Sequence, residues 1–301
     1  MSLAVFILTY NEELHIGRAI ASLAGVADEI VVIDSYSTDM TVSLAEDLGA
    51  TVYRRAFRNQ ADQFNWALDN IQTTCHWTMR LDADEYIDEN LAKRIVAATN
   101  SLGPGCDGIL LNRRHVFMGR WIKWGGRHPL WLLRVWRSGT ARAEMRWMDE
   151  HIVGGSGEKL RLDGAFFDEN LNSLGNFSTK HIQYARREAY SQVLESLISL
   201  ANPDEKLPAE AKRKRQIKRF AARNIPFYAS SLAYLIYRLF VRLGVLDGIP
   251  GIVYHVLQGF WYRFLVGAMV VELERHLLKV PQSQRLSVLD EHTGFNHVGY
   301  V

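Results

Sequence analysis

Apolar runs alternate with helically spaced apolar residues through the first hundred positions of the chain. Leu3–Thr9 is a continuous apolar run of the kind that a buried parallel strand shows, and Glu12–Leu23 follows with helical spacing. Further strands are predicted at Glu29–Asp34, Ala50–Arg54 and His76–Leu81, and further helices at Thr41–Leu48, Ala61–Ile71 and Leu91–Ala98. This alternation predicts an α/β domain with a mostly parallel sheet flanked by helices.

Acidic and small polar residues stand where three of these strands end. Thr9–Glu12 follows the first strand, Asp34-Ser35 the second, and Asp82-Ala83-Asp84 the fourth. An Asp-x-Asp motif arises roughly once by chance in a chain of this composition, so its position gives it weight. Since ligands bind at the carboxyl ends of parallel strands, we expect one cleft. A carboxylate pair for Mg²⁺ or Mn²⁺ that bridges to phosphate is favoured over solvated turn acids.

The bulk composition is that of a globular protein. The chain has 301 residues, of which 48% are hydrophobic and 23% charged. Cys75 and Cys106 show neither metal-ligand spacing nor a disulfide pattern, which favours a reducing compartment and argues against zinc. The N-terminus lacks a basic head followed by an apolar signal region, so a cytoplasmic location is predicted.

The positive charge is concentrated in one segment. Net charge is +2, but Ala211–Arg223 holds seven basic residues and no acid, and without those seven the net charge would be −5. Such a local excess indicates an anionic partner, either a membrane surface or a nucleic acid.

Two apolar, aromatic segments follow the basic run, at Ile225–Tyr237 and Gly248–Tyr262. Charged residues keep each charge-free stretch below the roughly 18 residues of a spanning helix, so the chain is not expected to cross a bilayer. Arg238 and Arg242 are predicted to share one helix face, as in a helix that lies in the headgroup layer. A helical cap packed on the domain core is the alternative interpretation.

The middle of the chain, from about Asp107, is rich in Trp and Arg and reads as mixed strand and loop. It is predicted to hold a second ligand. Trp121 and Trp124 fit a ligand-stacking role and a core role equally well. Leu174–Ala201 is predicted to be a long helix, and Asn202–Asp204 marks a break after it.

Four motifs, taken in order, resemble the family 2 glycosyltransferases of the GT-A fold. They are TYNEE at Thr9–Glu13, VVIDSYSTDMT at Val31–Thr41, RLDADEY at Arg80–Tyr86 and DEHI at Asp149–Ile152. Within that family the chain resembles the branch of lipopolysaccharide-core β-1,4-glucosyltransferases and exopolysaccharide enzymes, whose tail is similar to QGFWYRFLV at Gln258–Val266.

The resemblance implies a Rossmann-like GT-A domain over residues 1–200. Residues 1–106 would form its nucleotide-sugar half and residues 107–200 its acceptor half. Residues 201–301 would form a basic and aromatic helical extension at the membrane interface.

The resemblance also implies roles for the strand-end residues. Asp34 would accept a hydrogen bond from the uracil imide, Asp84 would ligate the metal, and Asp82 would touch the ribose or the metal and its waters. The rest of the nucleotide-sugar set is Thr9, Asn11, Glu12, Ser37, Asp39 and Arg134, the last resembling an arginine of the family's acceptor side. Asp39 is also a candidate helix cap, and the two roles are compatible.

The catalytic base is expected in the DEHI motif, because inverting transfer needs a carboxylate that takes the proton of the acceptor hydroxyl. Glu150 and Asp149 are the candidates, and alignment with the family's His-Glu favours Glu150. The chain departs from the family at Gln63-Phe64-Asn65, where a cation is often found. Arg54, Arg55 or Arg58 could replace it, although each is more often a solvated surface charge.

These observations predict a metal-dependent inverting glycosyltransferase. It would move sugar from a nucleotide-diphosphate donor, expected to be UDP-linked, to a lipid-linked lipopolysaccharide or exopolysaccharide acceptor at the cytoplasmic face of the cell membrane. A sugar-nucleotidyltransferase is the alternative, but it normally has a Gly-rich basic loop that Thr9–Glu12 does not provide. A nucleic-acid-binding role for the basic run leaves the strand-end acids unexplained, so no nucleic acid is expected as a partner.

Overall fold

Four parallel strands form the first half of the central sheet in a computed structural model, which describes residues 1–145, 151–201 and 225–295. Their order is β3–β2–β1–β4, with β1 at Leu3–Thr9, β2 at Glu29–Asp34, β3 at Thr51–Arg54 and β4 at Trp77–Asp82. The flanking helices are α1 (Ile16–Ser22), α2 (Thr41–Asp47), α3 (Gln60–Asn70) and α4 (Glu89–Ser101). The parallel half of the sheet is therefore as predicted from the apolar pattern.

The sheet becomes mixed beyond β4. Its order continues through β8 (Trp131–Arg137), β6 (Cys106–Phe117), β12 (Phe166–Glu169) and β5 (Glu85–Ile87). β8 is antiparallel to β4 and β6, and β12 is parallel to β6 but antiparallel to β5. The remaining strands are β7 (Arg120–Trp121), β9 (Ala141–Ala143), β10 (Ile152–Gly154) and β11 (Glu158–Arg161). The prediction of a mostly parallel sheet thus holds for the first half only.

The continuous apolar sequence of β1 follows from its central position in the sheet. Side chains alternate between the two faces of a strand, and both faces of β1 are buried. Val5 and Ile7 join one hydrophobic cluster, which also contains Trp77. Phe6 points to the other cluster, which contains Phe64.

The chain divides into two compact units, Met1–Asn172 and Ser173–Val301. The second is helical: α5 (Leu174–Ala201), α6 (Phe227–Ile236), α7 (Gly248–Tyr254), α8 (Tyr262–Leu277) and α9 (Arg285–Thr293). The α/β class with a C-terminal helical region is therefore confirmed. The predicted boundary between residues 200 and 201 falls within the second unit and stays a prediction, and the basic run at 211–223 lies outside the described residues.

A continuous helical segment, Gly244–Leu277, is long and apolar enough to cross a membrane by length and composition alone. The segment has 34 residues; its most apolar 18-residue stretch has a mean hydropathy of 1.3, and 17% of that stretch is buried. The spacing of charged residues had not predicted such a segment. A single helix of this kind is weak evidence for a span.

The predicted interfacial face with Arg238 and Arg242 is wrong. Arg238 is buried, and its guanidinium lies 5.7 Å from the ring centre of Tyr234 and 5.5 Å from that of Tyr254. Arg242 is exposed. Arg238 lies within a π-helical turn, Tyr237–Val241, and Arg242 directly follows it, so the i, i+4 spacing of an α-helix no longer places the two on one face.

Candidate active site

The carboxyl ends of β1, β2 and β4 lie along one edge of the sheet. Thr9 is the register partner of Asp34, and Leu8 is the partner of Asp82. Since adjacent strands lie about 4.8 Å apart, the backbones of Asp34 and Asp82 are separated by about 10 Å across β1. Polar residues from three strand ends are thus brought together at this edge.

Asp34 is completely buried and braces the loop that follows β2. Its Oδ1 accepts a hydrogen bond from the Thr9 hydroxyl at 3.0 Å and another from the Ser37 hydroxyl. Its Oδ2 accepts from the Ser37 backbone N–H at 2.8 Å. A carboxylate has about four acceptor positions, so one position remains beyond these three bonds.

Asn11 joins the loops after β1 and β2. Its φ of 54° lies in the left-handed region, which Asn tolerates better than most residues. Its backbone N–H donates to the Ser37 hydroxyl at 2.8 Å, and its Oδ1 accepts from the Thr38 N–H at 2.9 Å. Beside this junction Tyr10 and Tyr36 have exposed fractions of 59% and 57%. Tyr36 has a φ of 61°, a strained conformation for a bulky residue and one that clusters at functional sites.

Asp39 binds the start of α2, although the capping position itself is Met40. Its Oδ1 accepts from the Thr41 N–H at 3.0 Å, and its Oδ2 accepts from the Glu13 N–H at 3.2 Å. Burial would raise the pKa of Asp39, but the hydrogen bonds from Thr41 and Glu13 outweigh it and lower that pKa. Asp39 thus holds the start of α2 from one residue before the N-cap, so the predicted cap position is wrong by one residue, and its nucleotide-binding role stays a prediction.

The predicted site residue Glu12 is tied to a histidine that sequence reasoning missed. His15 is buried, and its Nε2 accepts from the Leu171 backbone N–H at 2.8 Å. Nδ1 then carries the proton in the neutral ring, and it lies 2.7 Å from Glu12 Oε2. Helix α1 begins four residues later than predicted, and the Glu12 backbone N–H before it donates to the Thr41 hydroxyl.

Asp82 is held by two arginines. Arg80 Nε donates to its Oδ1 at 3.0 Å, and Arg134 Nη2 lies 3.3 Å from its Oδ2. Burial acts to raise the pKa of Asp82, but the two guanidinium charges hold it well below its usual range. Both oxygens of Asp82 are therefore engaged by the protein itself.

Arg134 is buried and also bridges to Glu85. Its Nη2 lies 2.5 Å from Glu85 Oε1, and Glu85 Oε2 accepts from the Asp82 backbone N–H at 2.9 Å. Burial raises the pKa of Glu85, opposed by Arg134 and assisted by the nearby carboxylates. The described contacts of Arg134 are with the protein's own carboxylates, and its contact with a donor stays a prediction.

Asp84 lies in the turn between β4 and β5 and is half-buried. Asn170 Nδ2 donates to its Oδ2 at 3.2 Å, and the Glu169 N–H donates to its backbone oxygen at 3.1 Å. A carboxylate oxygen at a turn suits a hard divalent cation that takes further ligands from a diphosphate. Within residues 1–145, 151–201 and 225–295, no group of three or more His, Cys, Asp and Glu is arranged to hold a metal.

Gln63 and Asn65, which lie where the family often has a cation, form hydrogen bonds within the protein. Gln63 Nε2 donates to the Ser35 hydroxyl at 2.8 Å, and Asn65 Nδ2 donates to the Ala143 carbonyl at 2.9 Å. Arg55 pairs with Asp62 at 2.7 Å, while Arg54 and Arg58 are exposed. The predicted base candidates Asp149 and Glu150 lie outside the described residues.

The sequence that forms this edge of the sheet matches the model of a known protein family. The model described as Glycosyl transferase family 2 matches residues 4–160, about half of the chain. An uncharacterized glycosyltransferase of Rickettsia bellii (strain RML369-C) is 40% identical over 95 residues, covering 31% of this chain and 31% of that protein. The lipopolysaccharide core biosynthesis glycosyltransferase LpsC of Rhizobium meliloti (strain 1021) is 34% identical over 110 residues, covering 34% and 40%. The chain thus matches only about a third of the length of these relatives.

Solved structures give a weaker likeness. Glucosyl-3-phosphoglycerate synthase from Mycobacterium tuberculosis, in complex with Mn²⁺, UDP and glucosyl-3-phosphoglycerate, has 22% identity and a TM-score of 0.31, over 38% of this chain and 44% of that one. A likeness at this TM-score carries no argument about the ligands of this protein.

Proposed function

The chain belongs to glycosyl transferase family 2, and we propose that it transfers a sugar from a UDP-sugar to a hydroxyl of a saccharide acceptor with inversion. The observation that supports this most is the shared edge: Thr9 and Asp34 in register, with Asp82 opposite Leu8. A nucleotide, a diphosphate and a sugar laid along that edge would meet polar side chains from three strand ends.

The nucleobase would bind over the loops after β1 and β2. Asp34 has one acceptor position left for the imide N–H of uracil, and Tyr10 and Tyr36 on the same two loops have exposed side chains. The hydrogen bonds from Thr9 and Ser37 hold the Asp34 carboxyl group in place, so that it distinguishes a nucleobase that offers a hydrogen-bond donor from one that offers an acceptor.

Asp84 would hold the divalent cation, Mg²⁺ or Mn²⁺, in preference to Asp82, whose oxygens both face arginines. Bound there, such a cation stabilises the charge that develops on the diphosphate leaving group. Asn170 and the Glu169 backbone N–H fix the Asp84 turn, and Arg80 and Arg134 fix Asp82 beside it.

Glu150 would take the proton from the acceptor hydroxyl as that oxygen attacks the anomeric carbon, and the bond to the diphosphate breaks on the opposite face. We base this assignment on the family motif and on the chemistry of inversion. Asp149 is the second candidate for the same role.

A thermal-shift panel of nucleotide sugars, with and without Mn²⁺, tests this function in wild-type protein and in Glu150→Gln. We expect a UDP-sugar with Mn²⁺ to stabilise both proteins equally. Release of UDP with lipopolysaccharide as acceptor should fall by about 100-fold or more in Glu150→Gln, because a general base contributes on the order of 10²–10⁴. Asp149→Asn is the matched control.

Failure of every nucleotide sugar to stabilise the wild-type protein would reject the proposal. Unchanged UDP release by Glu150→Gln would move the base elsewhere, and loss of release in Asp149→Asn would move it to Asp149.

The acceptor would be a lipid-linked saccharide of a lipopolysaccharide or exopolysaccharide, reached from the cytoplasmic face of an anionic membrane. The similarity to LpsC supports this acceptor class. The surface of the second unit supports the membrane: Phe240, Val241 and Ile249 have exposed fractions of 62%, 66% and 74%. Exposed apolar patches of this kind mark interaction sites.

All but one of the charged side chains in the same segment are buried. Arg238, Asp247 and His255 are all buried, at 4%, 2% and 0% exposed. The structure describes Ile225 to Phe260 without a gap. The residues with a formal charge in this range are Arg238, Arg242 and Asp247, and only Arg242 is exposed. A helical hairpin that hides its charges and exposes its apolar side chains is suited to a lipid surface.

Replacing Phe240, Val241 and Ile249 together by serine should weaken binding to anionic phospholipid vesicles by about 100-fold or more, given 1.5–3 kcal/mol for burying each such side chain. Vesicle flotation measures this. Leu278→Ser, a single change at a side chain that is 72% exposed just after α8, is the control. Equal flotation of the triple variant and wild type would contradict the proposal, and conversion of a dimer to a monomer would assign the surface to self-association.

A further inference from the structure

One stretch of 36 residues, Gly108–Ala143, contains eight Lys and Arg and no acid. It includes β6, β7 and β8, which lie in the half of the sheet that is farther from β3. Such a density of one charge needs compensation, either by carboxylates elsewhere in the fold or by a ligand.

Carboxylates compensate several of these arginines. Arg113 and His115 lie 3.3 and 3.2 Å from Asp168, whose pKa falls to about 2 because His115 and Arg113 outweigh its burial. Arg134 faces Asp82 and Glu85, and Arg142 pairs with Asp69 at 2.9 Å. Arg137 donates to backbone carbonyls, including that of Leu102 at 2.9 Å.

Arg114 has no such partner in the part of the chain that the structure describes. It points to the face of β6 opposite Arg113, and its guanidinium lies 4.5 Å from the ring centre of Trp121 and 5.7 Å from that of Phe167. Its Nε is buried without a hydrogen-bond partner. A buried donor without an acceptor is unfavourable, and water, an ion or a ligand can supply the missing partner.

Two neighbouring side chains share this property. Trp121 Nε1 and His128 Nδ1 are also buried without partners among residues 1–145, 151–201 and 225–295, and the two rings meet edge to face with centres 4.9 Å apart. Arg114, Trp121 and His128 thus bring three unmatched polar atoms to one place. We call them the Arg114 cluster.

The Arg114 cluster adjoins the strands that lead to the Asp84 turn. Arg114, Phe167 and Tyr86 are register partners on the three strands β6, β12 and β5, and the rings of Phe167 and Tyr86 stack at 5.0 Å. Asp84 directly precedes β5. Two strand spacings put Arg114 about 10 Å from the strand that follows the Asp84 turn.

From this geometry we infer that the Arg114 cluster binds an oxyanion, a phosphate or a carboxylate, carried by the acceptor saccharide. The inference rests on the proposed function, because it assigns this anion to the acceptor and the diphosphate to the Asp84 side. The planar guanidinium of arginine matches the geometry of phosphate and carboxylate, and the indole N–H adds a neutral donor. The enzyme would then select acceptors that bear a negative charge.

Calorimetric titration of the full chain, saturated with UDP and Mn²⁺, tests the inference with glucose 6-phosphate, glucuronic acid and glucose. We expect wild type to bind the charged sugars more tightly than glucose, and Arg114→Gln to lose about tenfold or more in affinity for them. Arg114→Lys should recover part of the loss, because lysine keeps the positive charge but lacks the planar guanidinium that binds an oxyanion through two parallel N–H groups. Arg161→Gln, which removes an exposed arginine stacked on Trp131, should bind as wild type does.

The two charged sugars separate phosphate from carboxylate as the preferred group. Equal affinity of Arg114→Gln and Arg161→Gln for the charged sugars would overturn the inference, as would wild type that binds none of them. Loss of UDP affinity in Arg114→Gln would assign the cluster to the donor and also overturn it. Absence of UDP binding in wild type would instead reject the proposed function.

Discussion

Asp84→Ala is expected to lose about 10³-fold in kcat/KM at saturating Mn²⁺, with UDP release as the readout. Stabilisation of the developing diphosphate charge by a divalent cation is worth several kcal/mol, and each 1.36 kcal/mol is tenfold in rate. Thermal shift gives a second readout that does not require turnover. Addition of Mn²⁺ should no longer increase the stabilisation of the variant by UDP.

The fold should survive this change. The turn is also held through the Asp84 backbone oxygen, which accepts from the Glu169 N–H at 3.1 Å, while the side chain loses its bond from Asn170. One such bond contributes about 1 kcal/mol to stability. Asp163→Ala is the matched control, because its side chain is 87% exposed. A variant that keeps both wild-type turnover and the Mn²⁺-dependent shift would remove Asp84 from the metal site.

The parallel half of the sheet could be predicted because its strands are buried on both faces. Leu3–Thr9 and Glu29–Asp34 were predicted with the bounds that the structure has, since a run of apolar residues between polar turns leaves little choice. The antiparallel strands could not be placed in the same way. β5 has three residues and β12 has four, and strands this short carry no periodic signal.

The strand-end site was visible in part. The acids stand directly after apolar runs, whereas the side chains that position the site come from distant parts of the sequence. His15 accepts from the Leu171 N–H across 156 positions, and Asn170 reaches Asp84 across 86. Neither His15 nor Asn170 has a local pattern that marks it, because its role depends on how β12 packs beside β5.

Arg134→Met is expected to lower the free energy of unfolding of the first unit by about 3–5 kcal/mol. Arg134 is buried and faces two carboxylates, Asp82 at 3.3 Å and Glu85 at 2.5 Å, so its removal leaves buried negative charge without a partner. Tryptophan fluorescence during urea unfolding measures the effect, because every tryptophan except Trp261 lies in the first unit.

The surface pair Arg142–Asp69 is the matched control. Its side chains are 55% and 57% exposed and 2.9 Å apart, and Arg142→Met should lower stability by at most about 1 kcal/mol. Equal losses for the two variants would contradict the prediction. A second variant separates charge from shape: adding Glu85→Gln to Arg134→Met should recover part of the loss, because it removes the carboxylate that is left without an arginine, whereas Asp82 keeps its pair with Arg80.

The pH dependence of stability follows from the sign of the Asp82 shift. Its pKa in the folded protein lies below the ordinary value of about 3.9, so its ion pairs stabilise the fold at neutral pH. That contribution is lost as the pH falls below about 4, where the unfolded chain takes up the proton first. Arg134→Met retains only the pair with Arg80, so its unfolding free energy should fall less steeply between pH 5 and pH 3 than that of wild type. Parallel curves for the two proteins would mean that Arg134 does not set the charge state of Asp82.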